Sequence, residues 1–126
     1  MEYADAEKLL VAFLRAETGL RVVTELPSNL EEVLPVIQVS RYGGNDSRYV
    51  LDRASVDVDC FAATRAEASA LAAQARELFI FRLPSYNAGA VSVSRVRTIN
   101  APGWAPYDND TLRRFHASYM VTLHNH

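Results

Sequence analysis

The side chains with the greatest chemical reach stand at Asp57, Asp59, Cys60 and His116. Asp57-x-Asp59 lies in the alternating stretch ASVDVDCFA, residues 54–62. As a strand, this stretch turns both carboxylates and Phe61 to one face and Val56, Val58 and Cys60 to the other. Two carboxylates on one face could hold a cation or share acid–base work. No further ligand follows at fixed spacing, and zinc wants three or four in tetrahedral array. Of the histidines, His116 falls on the polar face of the last strand, and His124-x-His126 occupies a terminus that reads as frayed. Cys60 belongs to the apolar face and reads as a buried thiol. Ser, His and Asp residues are present for a nucleophilic triad, but no G-x-S-x-G elbow presents the serine. Gly43-Gly44 lacks the spacing of a phosphate-binding loop, and no helix pattern follows directly. These residues are read as structural, with Arg95 and Arg97 as cross-strand partners for the two aspartates. The expectation is a protein with no catalytic residue, no metal site and no cofactor.

Binding, by contrast, has candidates in two irregular segments rich in Tyr, Trp and Arg, the types enriched at interaction hot spots. Residues 43–53 carry Asp46, Arg48, Tyr49, Asp52 and Arg53, and residues 100–114 carry Trp104, Tyr107, Asp108, Asp110, Arg113 and Arg114. From these, Asp46, Arg48, Tyr49, Arg53, Trp104, Tyr107, Asp108, Arg113 and Arg114 form the candidate contact surface. Trp104 has a second reading: it folds back to cap the end of the core.

The elements that must position these residues follow from periodicity and turn chemistry. Residues 3–17 form an amphipathic helix, with Ala6, Leu9, Leu10, Phe13 and Leu14 as its stripe, Asp5 as N-cap and Gly19 beyond its end. Residues 20–26 make a short strand, and 35–62 a hairpin with a long, mobile tip over Gly43–Ser47. Thr64-x-x-Glu67 is a capping box opening a helix to Leu83, its stripe formed by Ala68, Leu71, Ala75, Leu78, Phe79 and the stem of Arg82. A strand over 90–99 has Val91 and Val93 in the same parity as Arg95 and Arg97. Either it passes from core to solvent or a bulge switches its faces. Pro102, Gly103 and Pro106 keep 100–110 out of any helix or central strand, and 114–124 alternates as a final strand. The order α-β-β-β-α-β-β predicts an α+β fold: two amphipathic helices on one face of a mixed, mostly antiparallel sheet of four to five strands. The other face carries Asp57, Asp59, His116, Ser118 and Thr122.

The chain has 126 residues, 49% hydrophobic and 22% charged, which predicts one domain over 1–126. A net charge of −2 argues against a protein that holds nucleic acid by counterion release. One cysteine excludes an internal disulfide and fits a reducing compartment or a protein indifferent to redox. The acidic N-terminal stretch has no signal-peptide pattern, and the apolar runs fall short of the ~20 residues that cross a bilayer. A soluble protein is expected.

Several segments together resemble the tail terminator (tail completion) proteins of long-tailed bacteriophages, especially those infecting actinobacteria. They are the N-terminal helix, the PVIQV strand ending in Arg41-Tyr42-Gly43-Gly44, and the 54–62 strand leading through Thr64-Arg65-x-Glu67-Ala68 into an alanine-rich helix. The turn Pro102-Gly103-Trp104-x-Pro106-x-Asp108 and the last strand from Arg113 to Leu123 complete the likeness. The resemblance implies a virion protein of the tail neck, assembled in the host cytoplasm as a homo-oligomeric ring, usually a hexamer. It would sit on the head-proximal end of the tail tube, end tube polymerisation and present a surface to the head–tail connector or stopper. DNA would pass through its lumen without specific binding. Other neck proteins of similar fold, and a small α+β module holding a ligand or peptide on the open sheet face, are the alternatives.

Overall fold

Asp5 starts the first helix. Its carboxylate accepts the Lys8 N–H at 3.1 Å, and α1 runs Ala6–Thr18 until Gly19, at φ 68°, closes it with an N–H to Arg15 O bond of 2.9 Å. The computed structural model describes residues 3–47 and 50–126. The strands are β1 (Arg21–Val23), β2 (Val36–Ser47), β3 (Leu51–Ala62), β4 (Asn87–Ala88), β5 (Val91–Trp104) and β6 (Arg113–Asn125). They form one sheet in the order β1-β2-β3-β6-β5-β4, with β1 and β2 parallel and every other pair antiparallel. The fold is α+β as expected, but the sheet has six strands rather than four to five. The extra strand, β4, is two residues inside a turn and too short to show a period.

The second helix, α2 (Arg65–Glu77), begins at Thr64, whose hydroxyl oxygen accepts the Glu67 N–H at 3.2 Å. The return half of the box differs from expectation: the Thr64 hydroxyl donates to the Glu67 carboxylate at 3.1 Å. After Glu77 the backbone widens into a π-helical stretch, Leu78–Arg82, marked by Leu83 N–H to Leu78 O at 2.8 Å. That extra residue in the turn rotates the stripe. Leu83 is buried in place of Arg82, which is exposed and pairs with Glu17 at 3.2 Å.

Both helices cover the same face. Leu10, Phe13 and Leu14 of α1 and Leu71 and Ala75 of α2, with Phe79 beyond it, meet Ile37, Val39, Val56, Val58, Cys60, Tyr119, Val121 and Leu123 in one core. Each fully buried large apolar side chain there contributes about 1.5–3 kcal/mol. Phe13 meets Tyr86 edge-on at 5.1 Å, and Phe79 lies 4.6 Å from Tyr119. Burial pushes the Cys60 thiol up to about 12, with Asp59 adding to the shift.

The opposite face is not bare throughout. Val36 and Phe61 are roofed by Leu30 and Leu112, with Val23, Leu26, Val33 and Leu34 around them, so a second small core closes one end. Leu30 sits on a single 3₁₀ turn, Leu30–Glu32. The mobile tip expected over 43–47 is instead strand: the ladder continues to Ser47↔Leu51, with a bulge between Arg41 and Gly43. The C-terminus is also tied down rather than frayed, through His126 N–H to Ala90 O at 2.7 Å and an approach of 3.1 Å between Ser92 Oγ and His126 Nε2.

Candidate functional site

The uncovered part of the sheet is graded along its strands. Cross-strand rows, read from one end, run Asn45–Arg53–Thr122–Arg95, Gly43–Ser55–Met120–Arg97, Ser40–Asp57–Ser118 and Gln38–Asp59–His116. The basic rows come first, the acidic rows next, and the small core over Phe61 last.

Asp57 and Asp59 share a face with His116 and Ser118, as alternation requires. His116 Nδ1 lies 2.9 Å from Asp59, its Nε2 3.5 Å from Asp57 and 3.3 Å from Ser118 Oγ, and Ser118 donates to Asp57 at 2.8 Å. The connectivity Ser118–His116–Asp59 is that of a nucleophilic triad. Ser118, however, is only 3% exposed, and its hydroxyl donates to Asp57 rather than to the imidazole. It also sits in mid-strand, where the ladder occupies the backbone amides that an oxyanion hole would need. The network satisfies its own polar groups and stiffens the sheet. Among the described residues, no group of three or more His, Cys, Asp or Glu is arranged to hold a metal ion.

Arg95 and Arg97 do not reach the aspartates. A bulge between Val93 and Arg95 shifts the register by one residue, which resolves the parity conflict. Val91 and Val93 point into the core, Val96 packs against it from the same side, and the arginines turn to the open face opposite Thr122 and Met120. There they join Arg53, which donates to Asn45 at 3.1 Å and Ser47 at 2.9 Å. Together with Leu51, Ser94, Met120 and Thr122 they line a shallow groove of about 450 Å³. Arg95 and Arg97 make no hydrogen bond or ion pair with any described residue.

The remaining candidate residues are not gathered in one place. Asp46 is exposed near the hairpin end, opposite Asp52. Trp104 pairs with Phe115, which packs on the main core, meets its ring edge-on at 5.8 Å, and carries the Arg65 guanidinium 4.5 Å above its own ring. It therefore caps the core end and stays 37% exposed. Tyr107 packs edge-on against Phe61 at 5.3 Å beneath Arg114, whose guanidinium donates to the Ala105 and Pro106 carbonyls, both at 3.2 Å. Arg113 donates to the Asp110 and Leu112 carbonyls. These two arginines hold their own loop, and Asp108 is exposed on it. Arg48 and Tyr49 lie outside the described residues.

One ion pair escaped the sequence reading. Arg41 donates twice to Asp52, both at 2.7 Å, and Asp52 is only 4% exposed. The hydrogen bond to Asp52, above all, holds the Arg41 guanidinium pKa higher than usual, against the opposing effect of burial. The Arg41 N–H also donates to Glu7 of α1 at 2.8 Å, which ties the helix to the hairpin.

A protein-family model described as "Phage tail termination protein" matches residues 2–90. The chain belongs to this family. Comparison with curated proteins gives no match. The matched region of this tail termination family member reaches from α1 through β4. It includes Arg53, Asp57 and Asp59, whereas Arg95, Arg97, Trp104 and all of β6 follow it. The chain is thus a phage tail protein with a structural role. No helix among the described residues is long and apolar enough to cross a membrane.

Proposed function

We propose that the protein forms a ring, most simply a hexamer, on the head-proximal end of the phage tail tube, where it ends tube polymerisation and joins the tail to the head–tail connector. The observation that carries this reading is the family match over residues 2–90, which spans the first helix, the hairpin and the second helix. It is supported by a sheet with both α-helices on one face, which leaves the part of the other face beyond the small core open to a neighbour. On this reading the work is shape and charge complementarity rather than catalysis, the protein belongs to the virion neck, and DNA crosses the lumen without being held.

The test uses purified protein and tail tubes assembled without it. Light scattering and electron microscopy should show tubes of fixed length, each with a ring at one end, only when the protein is present. Tubes that elongate unchecked beside a protein that never leaves the monomer would refute the reading.

A further inference from the structure

We infer that the arginine groove on the open sheet face is one half of a subunit contact, and that its occupant is the acidic segment between β1 and β2 of a second copy of this chain. This rests on the ring reading above and names the surfaces that would close it.

The groove sets Arg53 of β3 and Arg95 and Arg97 of β5 on either side of β6, around about 450 Å³ of open space. Two of the three guanidiniums have no partner among the described residues. Unmatched cations converging on one groove ask for carboxylates. This chain carries a matching set: Glu25, Glu31 and Glu32 are all exposed on the segment joining β1 to β2, and none forms an ion pair with a described residue. Arg21, exposed at the start of β1, leaves the segment net acidic. The segment is rigid enough to act as a knob, since Leu30 is anchored on Val36, Phe61 and Leu112.

A single copy cannot join its own two poles. The groove lies level with Arg53 on β3, and the acidic segment is anchored level with Phe61 on the same strand. Eight residues at ~3.4 Å each put them roughly 27 Å apart. That is about three screening lengths at physiological salt. Neither pole is met within its own copy, and a basic pole at one end with an acidic pole at the other favours a head-to-tail contact, the kind that closes into rings.

Charge reversal and its rescue test this. Arg95→Glu/Arg97→Glu and Glu31→Arg/Glu32→Arg should each raise the concentration for half-maximal assembly about a hundredfold, through like-charge contacts. One chain carrying both swaps should return to within about tenfold of the unaltered protein. Assembly is read by light scattering with and without tail tubes, and circular dichroism with thermal melts confirms folding. Arg95→Gln/Arg97→Gln serves as the milder variant. Assembly that ignores both swaps, or that the combined chain does not restore, overturns the contact while leaving the ring intact. Normal assembly with lost retention on immobilised DNA would overturn it in favour of a nucleic-acid occupant. An unaltered protein that forms no ring at all would remove the ring reading and this contact with it.

Discussion

Tyr119→Phe should stabilise the protein, which is the reverse of the usual result for a buried tyrosine. Tyr119 is fully buried on the helix-facing side of β6, with its ring 4.6 Å from Phe79. Its hydroxyl is buried and has no hydrogen-bond partner among the described residues. Burial, with the neighbouring Cys60, pushes its pKa up to about 12, as expected for a phenol away from water. Removing the oxygen breaks no bond and relieves a desolvation cost of about 1–3 kcal/mol. The void left behind, roughly 10 Å³, costs only about 0.2 kcal/mol at ~24 cal/mol per Å³. The net gain is about 1–2 kcal/mol, or roughly 3–8 °C in Tm for a chain of this size. Urea unfolding should show a higher midpoint at unchanged slope. Tyr119→Leu, which also removes the ring from Phe79, should lose about 1–3 kcal/mol. If the Phe variant were less stable by 1 kcal/mol or more, the hydroxyl must be hydrogen-bonded and the reasoning fails.

Arg41→Met leaves Asp52 buried without its bidentate partner and should cost about 2–3 kcal/mol in chemical denaturation, less than a fully buried pair because Arg41 is partly exposed. A loss below 0.5 kcal/mol would show that the pair is dispensable. Gly44→Ala should destabilise by more than 2 kcal/mol, because Gly44 has φ +131° and a Cβ there would run into the backbone carbonyl of Arg53. An unchanged melting temperature would contradict that geometry. Alkali should unfold the protein: Cys60 and Tyr119 titrate near 12 when folded but from 9.0 and 10.0 as ordinary groups. The unfolded chain therefore loses its protons first, and stability is full below about pH 9 and falls as pH rises towards 12. A stability flat across that window, or a Cys60 that reacts with a thiol reagent at pH 8 as fast as free cysteine, would refute the burial argument.

Much of this architecture was legible because local rules agreed with the global fold. The stripe of α1, its Asp5 and Gly19 ends, and the alternation of residues 54–62 and 114–124 each meet a single, strong requirement of burial. What stayed hidden turns on shifts of one residue. The π-helical stretch swaps Leu83 for Arg82 without a mark in the periodic pattern. The shared parity of Val91, Val93, Arg95 and Arg97 does mark the strand over 90–99 but leaves open a bulge or an exit to solvent; the bulge at Ser94 is what sends the arginines to the open face. Gly43 and Gly44 read as a turn because glycine usually marks one, yet here they let β2 bulge and continue to Ser47. Of the candidate contact residues, Arg53 lies where the exposed basic groove forms, while Arg113, Arg114 and Trp104 are engaged in holding their own loop and core end. Tyr, Trp and Arg on loops signal packing as readily as recognition, and only the partners they find decide which.

If the protein forms the proposed ring, the charge on the open face bears on passage of DNA as well as on assembly. A ring that lets DNA slide cannot line its lumen with unpaired guanidiniums, because each phosphate contact adds affinity through counterion release. With 13 Arg and Lys against 15 Asp and Glu, the chain has almost as many cations as anions, so their placement matters more than their sum. Arg41 is committed to Asp52, Arg15 to the Val22 carbonyl, Arg113 and Arg114 to loop carbonyls, and Arg82 to Glu17. Arg95 and Arg97, with Arg53 beside them, are instead gathered around one groove as a concentrated basic surface. In the proposed ring, placing that surface in the contact between neighbouring copies would supply cohesion and remove from the channel the groups that would hold DNA. On that proposal the same three side chains would connect subunit closure to free passage.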